Sequence, residues 1–253
     1  MNARVYALEA KYEFLKVLRM PAFAIPTIAF PVMFYALFGL AFGGGRIPGG
    51  STMGTYLIPT YGAFGVIGAA MFGFGVGVAV ERGQGWMTLK RATPMPPLAY
   101  FFAKLAVATI FSAVIVLLLC ALGAGFGGVR FEAGTWVRLF LTLVMGAVPF
   151  GALGLAVGYA AGPNSAPAIV NLLYLPMSFA SGLWIPVEIM PGFMKALAPF
   201  MPPYHLGQLA LGVIGLGAPT PDWTHALVLM GLTLIGLGFA IRGYHRDEDK
   251  TWG

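Results

Sequence analysis

"YLIPTYGAFGVIGAAMFGFGVGVAV", residues 56–80, carries no charged side chain, and the stretch that follows, "ERGQGWMTLKRATPMPPLAY", residues 81–100, carries several together. An apolar helix rising about 1.5 Å per residue needs about twenty residues to cross a hydrocarbon core of about 30 Å. The first stretch is long enough to be such a span. The second is the one long polar interruption in the middle of the chain. Composition agrees: of 253 residues 58% are hydrophobic and only 9% charged, with mean hydropathy +0.82. A soluble globule carries about 25% charged residues. The chain is therefore read as an integral membrane protein.

Working outward, six apolar runs qualify as spans: residues 21–42, 56–80, 99–126, 136–160, 166–185 and 224–241. The fourth and fifth share one run, divided at the helix-breaking Gly162-Pro163-Asn164-Ser165. Residues 206–217, bounded by Pro202-Pro203 and by Pro219 and Pro221, are too few to cross and are expected to form a re-entrant or interfacial helix. The run at 21–42 exceeds the roughly 7–15 residues of a secretory apolar region, so it is expected to be retained.

Basic residues flanking spans favour the cytoplasmic side. With the N-terminus inside, eleven of the fifteen fall there (Arg4, Lys11, Lys16, Arg19, Arg82, Lys90, Arg91, Lys104, Arg242, Arg246, Lys250), against Arg46, Arg130, Arg138 and Lys195 outside. Both termini and the 81–98 loop are thus expected in the cytoplasm. These clusters form no continuous basic stripe, so nucleic acid is not an expected partner. Before the first span, Val5, Leu8, Tyr12 and Leu15 recur at helical spacing amid charged residues, which predicts an interfacial helix over residues 1–20 lying on membrane lipid.

Several chemistries are not supported. The span interiors lack the carboxylates, histidines and basic groups that bind or relay ions; Lys104 and Arg138 sit near span ends and are expected to snorkel. No G-x-x-x-x-G-K-[ST] phosphate loop is present, so energy for transport must come from a partner. Cys120 stands alone in an apolar run, so neither a disulfide framework nor a multi-cysteine metal site is available. Glycines four apart (Gly39 and Gly43, Gly73 and Gly77, Gly154, Gly158 and Gly162) suit close helix packing, within one subunit or between two.

Within the loop, residues 85–92 are expected to form a short helix with Trp86 and Leu89 on one side and Lys90 and Arg91 facing solvent, stopped by Pro94, Pro96 and Pro97. Glu81-Arg82, Gly85 and Leu89-Lys90-Arg91-Ala92-Thr93-Pro94, then Lys104, resemble the stretch after the second span in permeases of type-2 ATP-binding-cassette (ABC) exporters. That group includes drug-resistance and nodulation-factor export permeases. Ser181-Gly182-Leu183-Trp184-Ile185-Pro186, through Pro191, and "LAPFMPPYHLGQLALG" at 197–212 are similar to its outer segments. The order and spacing agree across nearly the whole chain, while Trp86-Met87-Thr88 and the extra Pro96 and Pro97 depart from the pattern.

The resemblance implies one domain over residues 1–253, all-α with six transmembrane helices, a cytoplasmic coupling helix in the 81–98 loop and an outer segment at 186–222. It implies a permease without an ATPase site of its own, in a prokaryotic cytoplasmic membrane. Its partners would be a second copy, as a homodimer, and two cytoplasmic ATPase subunits that hold the ATP and Mg; this chain would carry no cofactor. ATPase coupling would fall on Glu81, Arg82, Gly85, Trp86, Leu89, Lys90, Arg91, Thr93 and Pro94. The route for an amphiphilic or apolar cargo, drug, lipid or glycolipid, would pass Tyr61, Phe64, Met71, Phe74, Asn171, Tyr174, Met177 and Ser178. Asn171 leads that set, since a buried amide in a membrane seeks a partner.

Two other readings compete. Phe179-Ala180-Ser181-Gly182 is superficially like the nucleophile of an intramembrane serine protease, with His205 or His225 as base; a nucleophile needs that base within hydrogen-bond reach. The other is a channel or scaffold without an ATPase.

Overall fold

A computed structural model describes residues 3–48, 50–93 and 95–249, without the side chains of Arg91, Pro97 and residues 247–249. Among the described residues the chain is helical, and five helices are long and apolar enough to cross a membrane. In chain order the helices are α1 (Ala3–Leu18), α2 (Pro21–Ala41), α3 (Met53–Gly83), α4 (Trp86–Arg91), α5 (Pro97–Gly125), α6 (Ala133–Ala160), α7 (Ala166–Ala180), α8 (Gly192–Leu197), α9 (Pro202–Val213) and α10 (Asp222–Asp249). The five long ones are α2, α3, α5, α6 and α10.

α3 is the axis of the bundle. It is buried along nearly its whole length, and its N-terminus is capped by Thr52, whose hydroxyl accepts from Thr55 N at 3.2 Å. Against it α6 packs backbone to backbone: a Cβ on Gly154 would lie 3.1 Å from Met71 Cα, and one on Gly158 2.9 Å from the Gly75 carbonyl. These glycines serve packing within one subunit. The α-helical hydrogen-bond ladder of α6 is interrupted at Gly146, just before Pro149, which supplies no N–H to it. α2 ends in a π-helical turn, Tyr35–Ala41, and α3 contains another at Phe72–Val76.

Two helix boundaries differ from those expected. The run 166–185 is helical only over Ala166–Ala180, which is 15 residues. That makes α7 about 22 Å long, shorter than a hydrocarbon core. The helix stops because Gly182 takes a left-handed conformation (φ 83°) and its carbonyl accepts from Tyr56 Oη of α3 at 2.6 Å. Trp184 then folds back against Phe34, Tyr61 and Phe64, with ring centroids 4.8, 6.2 and 5.2 Å away. The short helix at 206–217 instead starts at Pro202, because Pro202 and Pro203 occupy its first positions rather than bounding it. Proline is at home there, where its missing N–H is not needed.

Candidate functional site

At the end of α3 the backbone turns through Gly85 (φ 76°) and α4 begins at once. A left-handed residue just past a helix is the usual way to stop it and redirect the chain. Glu81 and Arg82, on the last turn of α3, point to different neighbours. Arg82 Nη1 donates to the carbonyls of Gly158 (2.7 Å) and Tyr159 (3.2 Å), which lie at the C-terminus of α6, and its guanidinium sits 5.1 Å from the Tyr159 ring centroid. A cation there complements the negative end of the helix dipole.

Glu81 turns the other way, into a buried charge cluster. Lys104 Nζ of α5 donates to Glu81 Oε1 and to Glu13 Oε1 of α1, at 2.7 Å each, and Tyr100 Oη donates to Glu81 Oε2 at 2.6 Å. Lys16 of α1 bonds both Glu13 and Glu81. Burial works to lower the Lys16 pKa, but the two carboxylates outweigh it and hold it above its ordinary value. Two carboxylates and two ammonium groups balance in charge, which is what lets Glu13 and Lys104 remain only 5% exposed.

α4 is fastened to the same cluster. Lys90 pairs with Glu9 of α1 and lies 4.5 Å from the Tyr100 ring centroid. This reverses the expected facing of the loop helix. Lys90 points inward and Met87 is buried, whereas Trp86 (52% exposed) and Leu89 (66%) face outward. Thr93 caps the helix by donating to the Lys90 carbonyl at 2.7 Å. Pro94 and the side chain of Arg91 lie outside the described residues.

Lys104 does not snorkel; it is a buried member of the cluster. In α1 the expected apolar face is also the outer one: Leu8 and Tyr12 are exposed, and Glu13 and Val17 are buried. Sequence reasoning missed Glu9 and Glu13 because it assigns charge on an amphipathic helix to water, and it missed Tyr100 because a tyrosine at the start of an apolar span reads as an interfacial anchor. Glu9 and Glu13, four apart on one helical face, were the available signal.

Among the expected cargo residues, Phe64, Asn171 and Tyr174 converge on a cavity of about 300 Å³ between α2, α3 and α7. Phe64 and Tyr174 stack at 4.7 Å, and Tyr174 Oη donates to the Phe64 carbonyl at 2.9 Å. Phe23, Thr27 and Phe30 of α2 and Gly68 and Phe72 of α3 form part of the same wall. Residues 64, 68 and 72 are one helical face at four-residue spacing. Met71 and Phe74 fall on another face, against Gly154 and Gly151 of α6, so they do not line the cavity. Neither do Tyr61, packed under Trp184, or Met177 and Ser178.

The protease geometry is not formed. Ser181 Oγ donates to the Ser178 carbonyl at 3.0 Å, and His205 and His225 bond each other.

The described residues thus form a multi-pass helical membrane protein whose short loop helix is tied to the N-terminal helix. Residues 6–214 match the family model for the ABC-2 type transporter. The chain is also 27% identical over 223 residues to "Putative transport permease YvfS" of Bacillus subtilis (strain 168), covering 88% of this chain and 90% of that protein. The chain belongs to the ABC-2 type transporter family, as a membrane permease subunit. Membership implies an ABC ATPase as its partner.

Proposed function

We propose that this permease is the conduit of an ATP-driven exporter. Two copies form a homodimer with two cytoplasmic ATPase subunits, which hold the ATP and Mg and move an amphiphilic or hydrophobic cargo out across the cytoplasmic membrane of a prokaryote. α7 counts as a short sixth span, and both termini face the cytoplasm, as the placement of eleven basic residues against four favours.

The observation that carries this reading is α4. It offers an aromatic and an aliphatic side chain, Trp86 and Leu89, to the exterior while Lys90 ties it to α1. An exposed Trp flanked by apolar surface is the composition of a protein-binding hot spot. Force applied there reaches α3 through Gly85, α5 through Tyr100 and Lys104, and α6 through Arg82.

Cargo would use the α2–α3–α7 cavity, whose lining has no charged residue. Thr27 and Tyr174 already donate to backbone carbonyls. An uncharged, aromatic-walled surface suits apolar or weakly polar cargo.

The test is co-purification of the permease with its ATPase in mild detergent. Replacing Trp86 and Leu89 together by alanine is expected to weaken the complex by about thirty-fold, the equivalent of one hot spot of about 2 kcal/mol. Unchanged recovery and unchanged ATP hydrolysis would remove α4 from the interface and the reading with it.

A further inference from the structure

The corner where α9 meets α10, at the far end of the bundle from α4, holds two buried histidines that the transport reading does not use. His205 Nδ1 and His225 Nδ1 are 2.9 Å apart, and His205 Nε2 lies 3.0 Å from the Pro199 carbonyl. A carbonyl only accepts, so Nε2 of His205 carries the hydrogen. A neutral His205 then has a bare Nδ1, and the bridging hydrogen belongs to Nδ1 of His225. The bonds fix both tautomers.

We propose that this pair is a proton-operated latch between α9 and α10, closed by the shared hydrogen and opened when both rings become cationic. A first added proton has a place on His225 Nε2 and leaves the bridge intact. A second can go only to His205 Nδ1, which sets two N–H donors face to face. The rings thus titrate as a pair rather than singly.

The groups around the pair bias it in opposite directions. Burial holds His205 below its ordinary pKa, although its bond to Pro199 works the other way. From α10, the charged group in electrostatic contact with His225 is the Asp222 carboxylate. From α9, Tyr204 stands edge-on to both rings, at 5.5 and 5.8 Å. Glu188 of the preceding turn is in electrostatic contact with Tyr204 and with Tyr56 of α3. Arg138 of α6, which also packs on α9, is exposed and bonded to Thr135 of its own helix.

The latch acts on the helix pair and not on the loop between them, which is pinned separately by Ala218 N donating to Gln208 Oε1 at 2.7 Å. Leu206 and Ala226, each next to a latch histidine, line a groove of about 370 Å³ between α6, α9 and α10. Opening the latch would therefore widen that groove. None of this depends on cargo, direction or ATPase, so it stands or falls apart from the exporter reading.

The experiment is hydrogen exchange of the full chain in lipid nanodiscs, corrected for intrinsic rates. Protection of α9 is expected to fall by about tenfold between about pH 7.5 and about pH 4, because opening needs the second proton and burial moves His205 below the ordinary histidine range, while α5 stays unchanged. His225→Asn keeps an N–H donor in place of Nδ1 without titrating, and should hold α9 protected throughout. Equal protection of wild-type α9 at both pH values, or the same loss in H225N, overturns the latch. Should H225N not assemble, nitrogen NMR of the wild-type histidines decides: Nε2–H on His205 with Nδ1–H on His225 at neutral pH supports it, and any other tautomer pair overturns it.

Discussion

Lys104 is the residue on which the charge cluster depends, since of the two lysines bonded to both Glu13 and Glu81 it is the buried one. Lys104→Met fills the same volume but leaves two carboxylates short of a cation. Removing one partner of a buried pair costs about 3–5 kcal/mol. The variant is expected to lose that much stability, read as a lowered unfolding midpoint of the detergent-solubilised permease. Tyr100→Phe, which deletes only the hydrogen bond to Glu81, should cost about 1.5–3 kcal/mol, the scale of a bond to a charged group. A Lys104→Met variant as stable as wild type would mean that solvent reaches the cluster. At Gly158 the limit is steric rather than electrostatic. A Cβ would approach backbone atoms of α3 at 2.9 and 3.1 Å, so Gly158→Leu is expected to prevent the α3–α6 crossing and abolish the folded permease peak in size-exclusion chromatography.

Among the elements, α1 and α4 form one lever through Glu9 and Lys90. Reversing either charge alone, Glu9→Lys or Lys90→Glu, sets like charges together and should uncouple ATP hydrolysis from transport in proteoliposomes. The double reversal should restore much of the coupling, and failure to do so would show that the pair does not carry force. This lever was only half legible in the sequence. Hydropathy marks the long helices because each must match the membrane thickness, and that match leaves a run of uncharged residues. It does not mark which side of α1 is buried, because the buried side is the charged one and its partners come from α3 and α5, 65 to 91 residues away in sequence. Likewise α7 reads as a full span by composition, yet Gly182 and the Tyr56 bond end it early. In the cavity, Phe64, Asn171 and Tyr174 were accessible to sequence reasoning as polar or aromatic residues in apolar helices. Met71 and Phe74 were not separable from them without knowing which face of α3 meets α6.

At the scale of the whole molecule, the burial pattern is uneven. α3 is enclosed, whereas α2 and α7 leave Ile25, Phe30, Met33, Leu37, Leu172 and Leu175 exposed. Lipid tolerates such side chains, but it offers no hydrogen bond to the amide of Asn171, which is exposed on the same flank beside the cavity. An amide in hydrocarbon gains from a partner, and a two-fold axis through this flank would supply the partner subunit's own amide. The homodimer reading therefore makes a specific demand. With Cys120→Ala to remove the native thiol, an Asn171→Cys variant in native membranes should form a disulfide-linked dimer on mild oxidation, because a bridge requires Cα atoms within about 7 Å. A control cysteine at Leu117, exposed on α5, should stay monomeric. Crosslinking at Leu117 and not at Asn171 would move the dimer axis to α5 and detach the cavity from the subunit interface. Crosslinking at Asn171 alone would place the uncharged cavities of the two copies side by side, on either side of the subunit interface, so that one continuous apolar surface would be open to an amphiphile.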